Sequence, residues 1–146
     1  MPRKPIDFGL DAFDRAAVVE EAGAAIRLIS PRGGRGGPLS ASDGTPVAIT
    51  VRGAASATYD AAQATARHRL ELVSYLRDTP GFACEVDEAE LRVLMAVMIG
   101  WAGIVVDGAS IAFSPEAAAA LYRRFSWIRE QIGHAIADPR NFPQRA

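Results

Sequence analysis

Three side chains in this sequence have the chemistry for nucleophilic catalysis or zinc binding, namely Cys84, His68 and His134. A cysteine beside a histidine base can attack a carbonyl carbon, and both residue types are common zinc ligands. Each histidine, however, lies in a predicted helix, and Cys84 has no base beside it in the sequence. The three can meet only through the fold. The sequence therefore predicts no catalytic residue, no metal site and no cofactor, and it indicates a protein that is not an enzyme.

A glycine-rich loop over residues 31–46 offers two further kinds of chemistry. Its residues 32–37 read Arg-Gly-Gly-Arg-Gly-Gly. Glycine loops bind phosphate through backbone N–H groups, but a P-loop also needs a lysine, a following serine or threonine and then a helix, all of which are missing. Arg-Gly-Gly units contact RNA, yet so few of them in a chain of net charge −1 predict no binding to nucleic acid. We expect a flexible connection between two strands.

Aromatic residues near arginines provide the chemistry of a protein interface. Core packing is the default interpretation for Trp101 and Phe142. Trp127 is open to either interpretation, because three arginines surround it in the sequence, namely Arg123, Arg124 and Arg129. We predict that Arg123, Arg124 and Trp127 bind a partner protein, since guanidinium and indole groups combine directional hydrogen bonds with apolar area. A solvated helical face is the alternative.

Length and composition indicate a single globular domain. The chain has 146 residues, of which 49% are hydrophobic, and this is enough to bury one core. Lys and Arg number 16 against 17 Asp and Glu, so no broad charge attracts nucleic acid or an anionic membrane. The lone cysteine and the lack of an apolar signal core at the start predict a cytoplasmic protein. The apolar run at residues 91–106 is shorter than the ~20 residues of a membrane helix. It is predicted to be a buried core helix that ends near Trp101, followed by an extended or short strand-like exit at residues 104–106.

Hydrophobic periodicity divides the chain into a short β region and a longer helical region. Alternating or β-branched residues at 25–29 and 47–51 predict two strands of a hairpin over residues 25–53. Helical spacing then predicts helices at residues 56–76, 87–101, 114–124 and 126–137. The second of these helices opens with acidic residues that suit a helix N-terminus, namely Asp87, Glu88 and Glu90.

These elements predict a fold that is mainly α with a small β element (α+β), a compact helical bundle carrying an N-terminal β-hairpin. Residues 1–24 are predicted to form an N-terminal arm that includes a short helix at 11–21. Residues 25–142 are predicted to form the single domain, and residues 143–146 a tail.

Several separate residues follow one another in a recognisable order. A strand at residues 46–53 precedes a helix opened by a serine and a tyrosine, and then come a tryptophan-containing helix, an Asp-Gly turn, a Ser-Pro-Glu helix start and a final aromatic helix. The residues concerned are Ser56, Tyr59, Trp101, Asp107, Gly108, Ser114, Pro115, Glu116 and Trp127. This order, over residues 40–142, resembles that of the small tail assembly chaperones of long-tailed bacteriophages.

The resemblance implies a function in tail morphogenesis. It implies a cytoplasmic protein, absent from the finished particle, that binds the tape measure protein, keeps its long apolar helices soluble and helps recruit tail tube subunits. The alternative function is that of a structural tail or connector component that remains in the virion. Neither function involves a cofactor, nucleic acid or a membrane.

Overall fold

The structure, a computed structural model, describes residues 10–32 and 37–143. Within these ranges the chain is a mixed α/β protein with five α-helices and two small antiparallel sheets. In chain order the elements are α1 (Leu10–Ala22), β1 (Ala24–Arg27), β2 (Ala48–Val51), α2 (Ala57–Leu72), α3 (Pro80–Ala96), β3 (Met98–Ala102), β4 (Val105–Val106), β5 (Ala109–Ser110), α4 (Pro115–Arg124) and α5 (Ser126–Ala137). Among the described helices, none has the length and apolar character needed to cross a membrane.

The larger sheet has three strands in the order β1-β2-β3. Ile49 of β2 lies opposite Ile26 of β1 on one side and opposite Trp101 of β3 on the other. The prediction of a helical bundle with an N-terminal β-hairpin is therefore wrong, because α1 precedes β1 and the first two strands belong to a sheet that a distant segment completes. The physical reason is that a two-stranded ribbon is marginally stable in water, whereas a third strand adds hydrogen bonds and buried apolar area.

Helix α3 differs most from its predicted bounds of 87–101. It begins at Pro80, since proline at the first helical position loses no hydrogen bond and Thr79 before it is extended. It ends at Ala96, and residues 98–102 form β3 instead of a last helical turn. A continuous apolar run fits a buried helix and a buried strand equally well, so periodicity alone predicted the wrong C-terminal end for this helix.

Capping residues set the starts of α2 and α4. The hydroxyl of Ser56 accepts a hydrogen bond from the Tyr59 N–H at 3.1 Å, and that of Ser114 accepts one from the Ala117 N–H at 3.0 Å. Helix α2 packs against α3, yet none of its residues is buried. Helices α2, α4 and α5 lie in segments where the sequence predicts helices.

Two carboxylates hold α1 against the start of α2. Glu20 is buried and accepts a hydrogen bond from the Ala55 N–H at 3.2 Å. Glu21 accepts hydrogen bonds from the hydroxyl and the N–H of Thr58, the latter at 3.0 Å, and pairs with Arg52 at 3.2 Å. The Thr58 hydrogen bonds, and to a smaller extent the Arg52 charge, lower the pKa of Glu21. The predicted arm thus contains a docked helix, α1.

The hydrophobic core joins the three-stranded sheet to α3, α4 and α5. Its buried members are Leu28, Ile49, Val51, Leu91, Val97, Met98, Ile104, Ala118, Leu121, Tyr122, Ile128, Ile132, Ile136 and Phe142. The predicted arm at residues 1–9, residues 33–36 of the glycine-rich loop and residues 144–146 of the predicted tail lie outside the described residues.

The smaller sheet is a hairpin of β4 and β5. Its turn consists of Asp107 and Gly108, with φ values of 52° and 79°. Positive φ at both central residues is typical of a type I′ turn, for which Asp-Gly is a preferred pair. This hairpin lies before α4 in the chain and places Asp107 within hydrogen-bonding distance of Arg124.

Candidate partner-binding site

The break between α4 and α5 places the aromatic side chains of the site. Phe125 has φ −119° and ψ 82°, so the helix stops there and a new one begins at Ser126. The rings of Phe125 and Trp127 meet edge to face, with centroids 6.5 Å apart and planes at 69°. Both side chains are partly buried and pack against the core. The break thus places these two aromatic side chains next to each other at the C-terminal end of α4.

Arg124 joins this aromatic pair to the β4–β5 hairpin. Its guanidinium carbon lies 5.2 Å from the centre of the Phe125 ring, a cation–π distance. Its two terminal nitrogens donate hydrogen bonds of 3.0 and 3.1 Å to the two carboxylate oxygens of Asp107. These hydrogen bonds, and then the charge of Arg124, hold the pKa of Asp107 below its ordinary value. The arginine is therefore oriented from both sides.

Arg123 does not join the same group. Its guanidinium group lies 3.3 Å from the carboxylate of Glu88 on α3. Arg129, the third arginine near Trp127 in the sequence, also reaches α3, where it pairs with Asp87 at 2.8 Å. Of the three residues predicted to bind a partner, Arg124 and Trp127 thus each contact the Phe125 ring, whereas Arg123 lies against a different helix.

An apolar groove of about 280 Å³ lies beside Trp127. We call it the Trp127 groove, and it is lined by Leu28, Leu39, Ser40, Ala41, Val47, Gly103, Ile104, Val105, Val106, Leu121, Phe125, Trp127 and Ile128. Most of these side chains are aliphatic or aromatic, and Val105 is 48% exposed although it is a large hydrophobic residue. The groove therefore offers apolar surface to a partner, with Arg124 and Asp107 at the adjoining surface.

Comparison with protein-family models, with curated proteins and with solved structures finds no match to this chain.

Sequence reasoning missed Phe125 and Val105. The predicted helices at 114–124 and 126–137 leave Phe125 between them, but the sequence did not single out its ring as the contact of Arg124 and Trp127. Val105 was assigned to the exit of a buried run, but the short β4 strand exposes it. Neither residue stood out in the sequence, because the direction of its side chain depends on the local backbone and not on residue type.

The other aromatic candidates pack in the protein. The Trp101 ring nitrogen donates a hydrogen bond to the Ile111 carbonyl at 2.8 Å, and its ring meets that of Phe113 edge to face at 5.1 Å. Phe142 is 4% exposed and belongs to the core. These positions agree with core packing for both residues.

The residues first considered for catalysis are spread over the helices. His68 is on α2, Cys84 on α3 and His134 on α5, and all three are exposed. In the described part of the chain, no group of three or more His, Cys, Asp and Glu side chains is arranged to hold a metal ion.

Proposed function

We propose that this chain is a tail assembly chaperone of a long-tailed bacteriophage, which acts in the host cytoplasm and performs no covalent chemistry. It binds the tape measure protein, keeps that protein soluble and helps recruit tail tube subunits. The observation that carries the proposal, beside the resemblance in sequence, is the Trp127 groove, an open apolar surface edged by an aromatic pair and an oriented arginine.

This geometry suits the task of binding apolar helices. Apolar surface removed from water contributes ~25 cal/mol per Å², so the exposed Val105 and its aliphatic neighbours favour an apolar partner. Trp and Arg are frequent anchors of protein interfaces. Because Arg124 is already held by Asp107 and Phe125, little side-chain entropy is lost when it contacts a partner.

Co-expression with the cognate tape measure protein tests the proposal. The parent protein should increase the soluble fraction of that protein, and Val105→Asp should reduce the effect by placing a charge in the groove. Val18→Asp is the matched control, since Val18 is 72% exposed on α1 and does not line the groove. Both variants should keep the circular dichroism spectrum of the parent, because both valines are accessible to water.

The possible outcomes test the binding surface and the proposed function separately. A Val105→Asp variant that solubilises the tape measure protein as well as the parent would rule out the Trp127 groove. A parent protein without effect on the tape measure and tail tube proteins would reject the chaperone function. Mass spectrometry of purified particles distinguishes the alternative, because a structural tail or connector component would be present at fixed stoichiometry and a chaperone would be absent.

A further inference from the structure

A second groove, which we call the three-helix groove, lies between α2, α3 and α5. Its volume is about 890 Å³, and it shares no lining residue with the Trp127 groove. Helices α2 and α5 both contact α3, which provides the floor, and they form the two walls. The lining residues of α2 recur at helical spacing and are Tyr59, Gln63, Ala66, Arg67 and Leu70. The groove therefore follows the direction of the helices.

The α2 wall of the three-helix groove is long enough for about three turns of another α-helix. From Tyr59 to Leu70 the axis of α2 rises about 16 Å, or three helical turns. Each of the three helices contributes at least one small residue to the lining, among them Ala66, Ala89 and Gly133. A Cβ added at Gly133 would meet no atom of the neighbouring elements within 4 Å, so the space next to it is open. Small residues on every side allow another helix backbone to approach closely.

Helix α2 lacks a neighbour on this side. It is a 16-residue helix without a buried residue, although Ala66 and Leu70 turn towards the groove. Helices in globular proteins gain most of their stability by burying an apolar face against other elements. A further helix in the groove would cover this face of α2.

The walls of the groove carry charges of opposite sign. Arg67 on α2 and Glu130 on α5 both line it, and neither forms an ion pair with any described residue. Arg129, in contrast, is neutralised by Asp87 and Glu90 at 2.8 and 3.6 Å. The α2 wall is thus positive and the α5 wall negative, which suits a ligand with an acidic and a basic flank.

We propose that the three-helix groove binds one amphipathic α-helix of another protein. The apolar stripe of that helix contacts Ala66, Leu70 and Val93, its acidic flank faces Arg67 and its basic flank faces Glu130. This is the helix-in-groove mode of recognition, in which apolar residues at helical spacing anchor the ligand. The inference does not depend on the role in tail assembly, because it concerns a different surface and a ligand defined only by its chemistry.

Synthetic peptides about five turns long test the charge pattern on the intact protein. All carry the same leucine and alanine stripe, while the two flanks are Glu and Lys, Lys and Lys, or Glu and Glu. Fluorescence anisotropy should show the tightest binding for the Glu and Lys peptide. Arg67→Glu should shift the preference to the Lys and Lys peptide, and Glu130→Lys to the Glu and Glu peptide. No binding of any peptide at about 1 mM, or an unchanged preference in both variants, would overturn the proposal.

Gly133→Leu tests the position of the ligand. Leucine is a better helix former than glycine, so the variant should remain folded while its side chain fills the groove. We expect it to weaken binding of the Glu and Lys peptide by at least about tenfold. Ala61→Leu adds a leucine at an exposed position of α2 that does not line the groove, and it should leave the affinity within about twofold. Equal affinities of the two variants would refute binding in this groove.

Sedimentation of the protein alone separates a partner helix from a second copy of this chain. The parent and Gly133→Leu are expected to sediment as the same species. A parent that self-associates, and that Gly133→Leu converts to a monomer, would show that another copy occupies the groove and would overturn the assignment to a different protein.

Discussion

Replacing Gly103 with alanine is expected to destabilise the protein more than the same change at Gly108. Both glycines have positive φ, 73° and 79°, so alanine carries the same backbone strain of about 1–2 kcal/mol at either position. The surroundings differ. A Cβ at Gly108 would meet nothing within 4 Å, whereas one at Gly103 would lie 2.7 Å from the Pro46 carbonyl oxygen and 3.1 Å from the Val47 Cα.

The contacts at Gly103 are with backbone atoms, which cannot rotate away. Forcing extra volume into a packed region costs about 1–3 kcal/mol, so Gly103→Ala should cost about 2–5 kcal/mol in all and Gly108→Ala only about 1–2 kcal/mol. The larger value is a sizeable part of the ~5–15 kcal/mol that stabilises a typical domain.

Urea denaturation of the parent and of the two variants measures this difference. The midpoint for Gly103→Ala should be clearly lower than that for Gly108→Ala, while the slope with urea stays the same in all three proteins. Two equal midpoints would refute the reasoning, because they would mean that Gly103 does not approach the Pro46–Val47 backbone, which adjoins the Trp127 groove.

Three further changes have expected effects on stability. The folded pKa of Glu21 is lowered from 4.5, chiefly by the Thr58 hydrogen bonds, so its contribution is present above the unfolded pKa and is lost as pH falls through the folded pKa. In urea titrations, Glu21→Gln should therefore be less stable than the parent at neutral pH and approach it in acid; a difference that does not change with pH would contradict this. Tyr122→Phe should raise stability by about 1 kcal/mol, because the buried hydroxyl has no hydrogen-bond partner among the described residues; a lower melting temperature would show that it has one. Leu91→Ala should lower the free energy of unfolding by about 2–5 kcal/mol because Leu91 is 1% exposed. Leu72→Ala should change it by less than about 0.5 kcal/mol because Leu72 is 61% exposed. Similar denaturation midpoints for the two variants would mean that Leu91 is not part of the core.

Local signals in the sequence predicted the elements that local interactions form. Ser114 and Pro115 start α4 because a side-chain cap and a restricted φ act within one turn of the chain. Asp107 and Gly108 form a turn for a similar reason, since their own backbone preferences match a type I′ hairpin. Such features need no information about the rest of the fold.

Elements that depend on distant partners were predicted poorly. The run at residues 91–106 divides into a helix and a strand because β2, far away in the sequence, pairs with residues 98–102. The start of α3 was missed for a different reason, because Pro80 after Thr79 can either end one helix or begin another. Only the tertiary structure decides between these outcomes.

The sequence indicated the types of residue at the candidate site but not how they are arranged. Arg124 and Trp127 meet around Phe125 because the helix stops between them, whereas Arg123, one position earlier, points to α3. Neighbouring residues of a helix are separated by about 100° around its axis, so adjacent arginines face different surfaces. The predicted helices at 114–124 and 126–137 already place the break at Phe125, but they do not give the side-chain directions that this break produces.

The strand order β1-β2-β3 also has a consequence for how the protein folds during synthesis. When β1 and β2 have left the ribosome, the segment that pairs with the second side of β2 has not yet been made. Until β3 emerges, Ile49 and Val51, which are fully buried in the finished protein, remain in an incomplete sheet with an unpaired edge. Closing the long loop between β2 and β3 carries an entropic cost that slows this step. We therefore expect nascent chains that stop before β3 to be sensitive to protease and prone to association, and chains that include it to acquire protection together with α3.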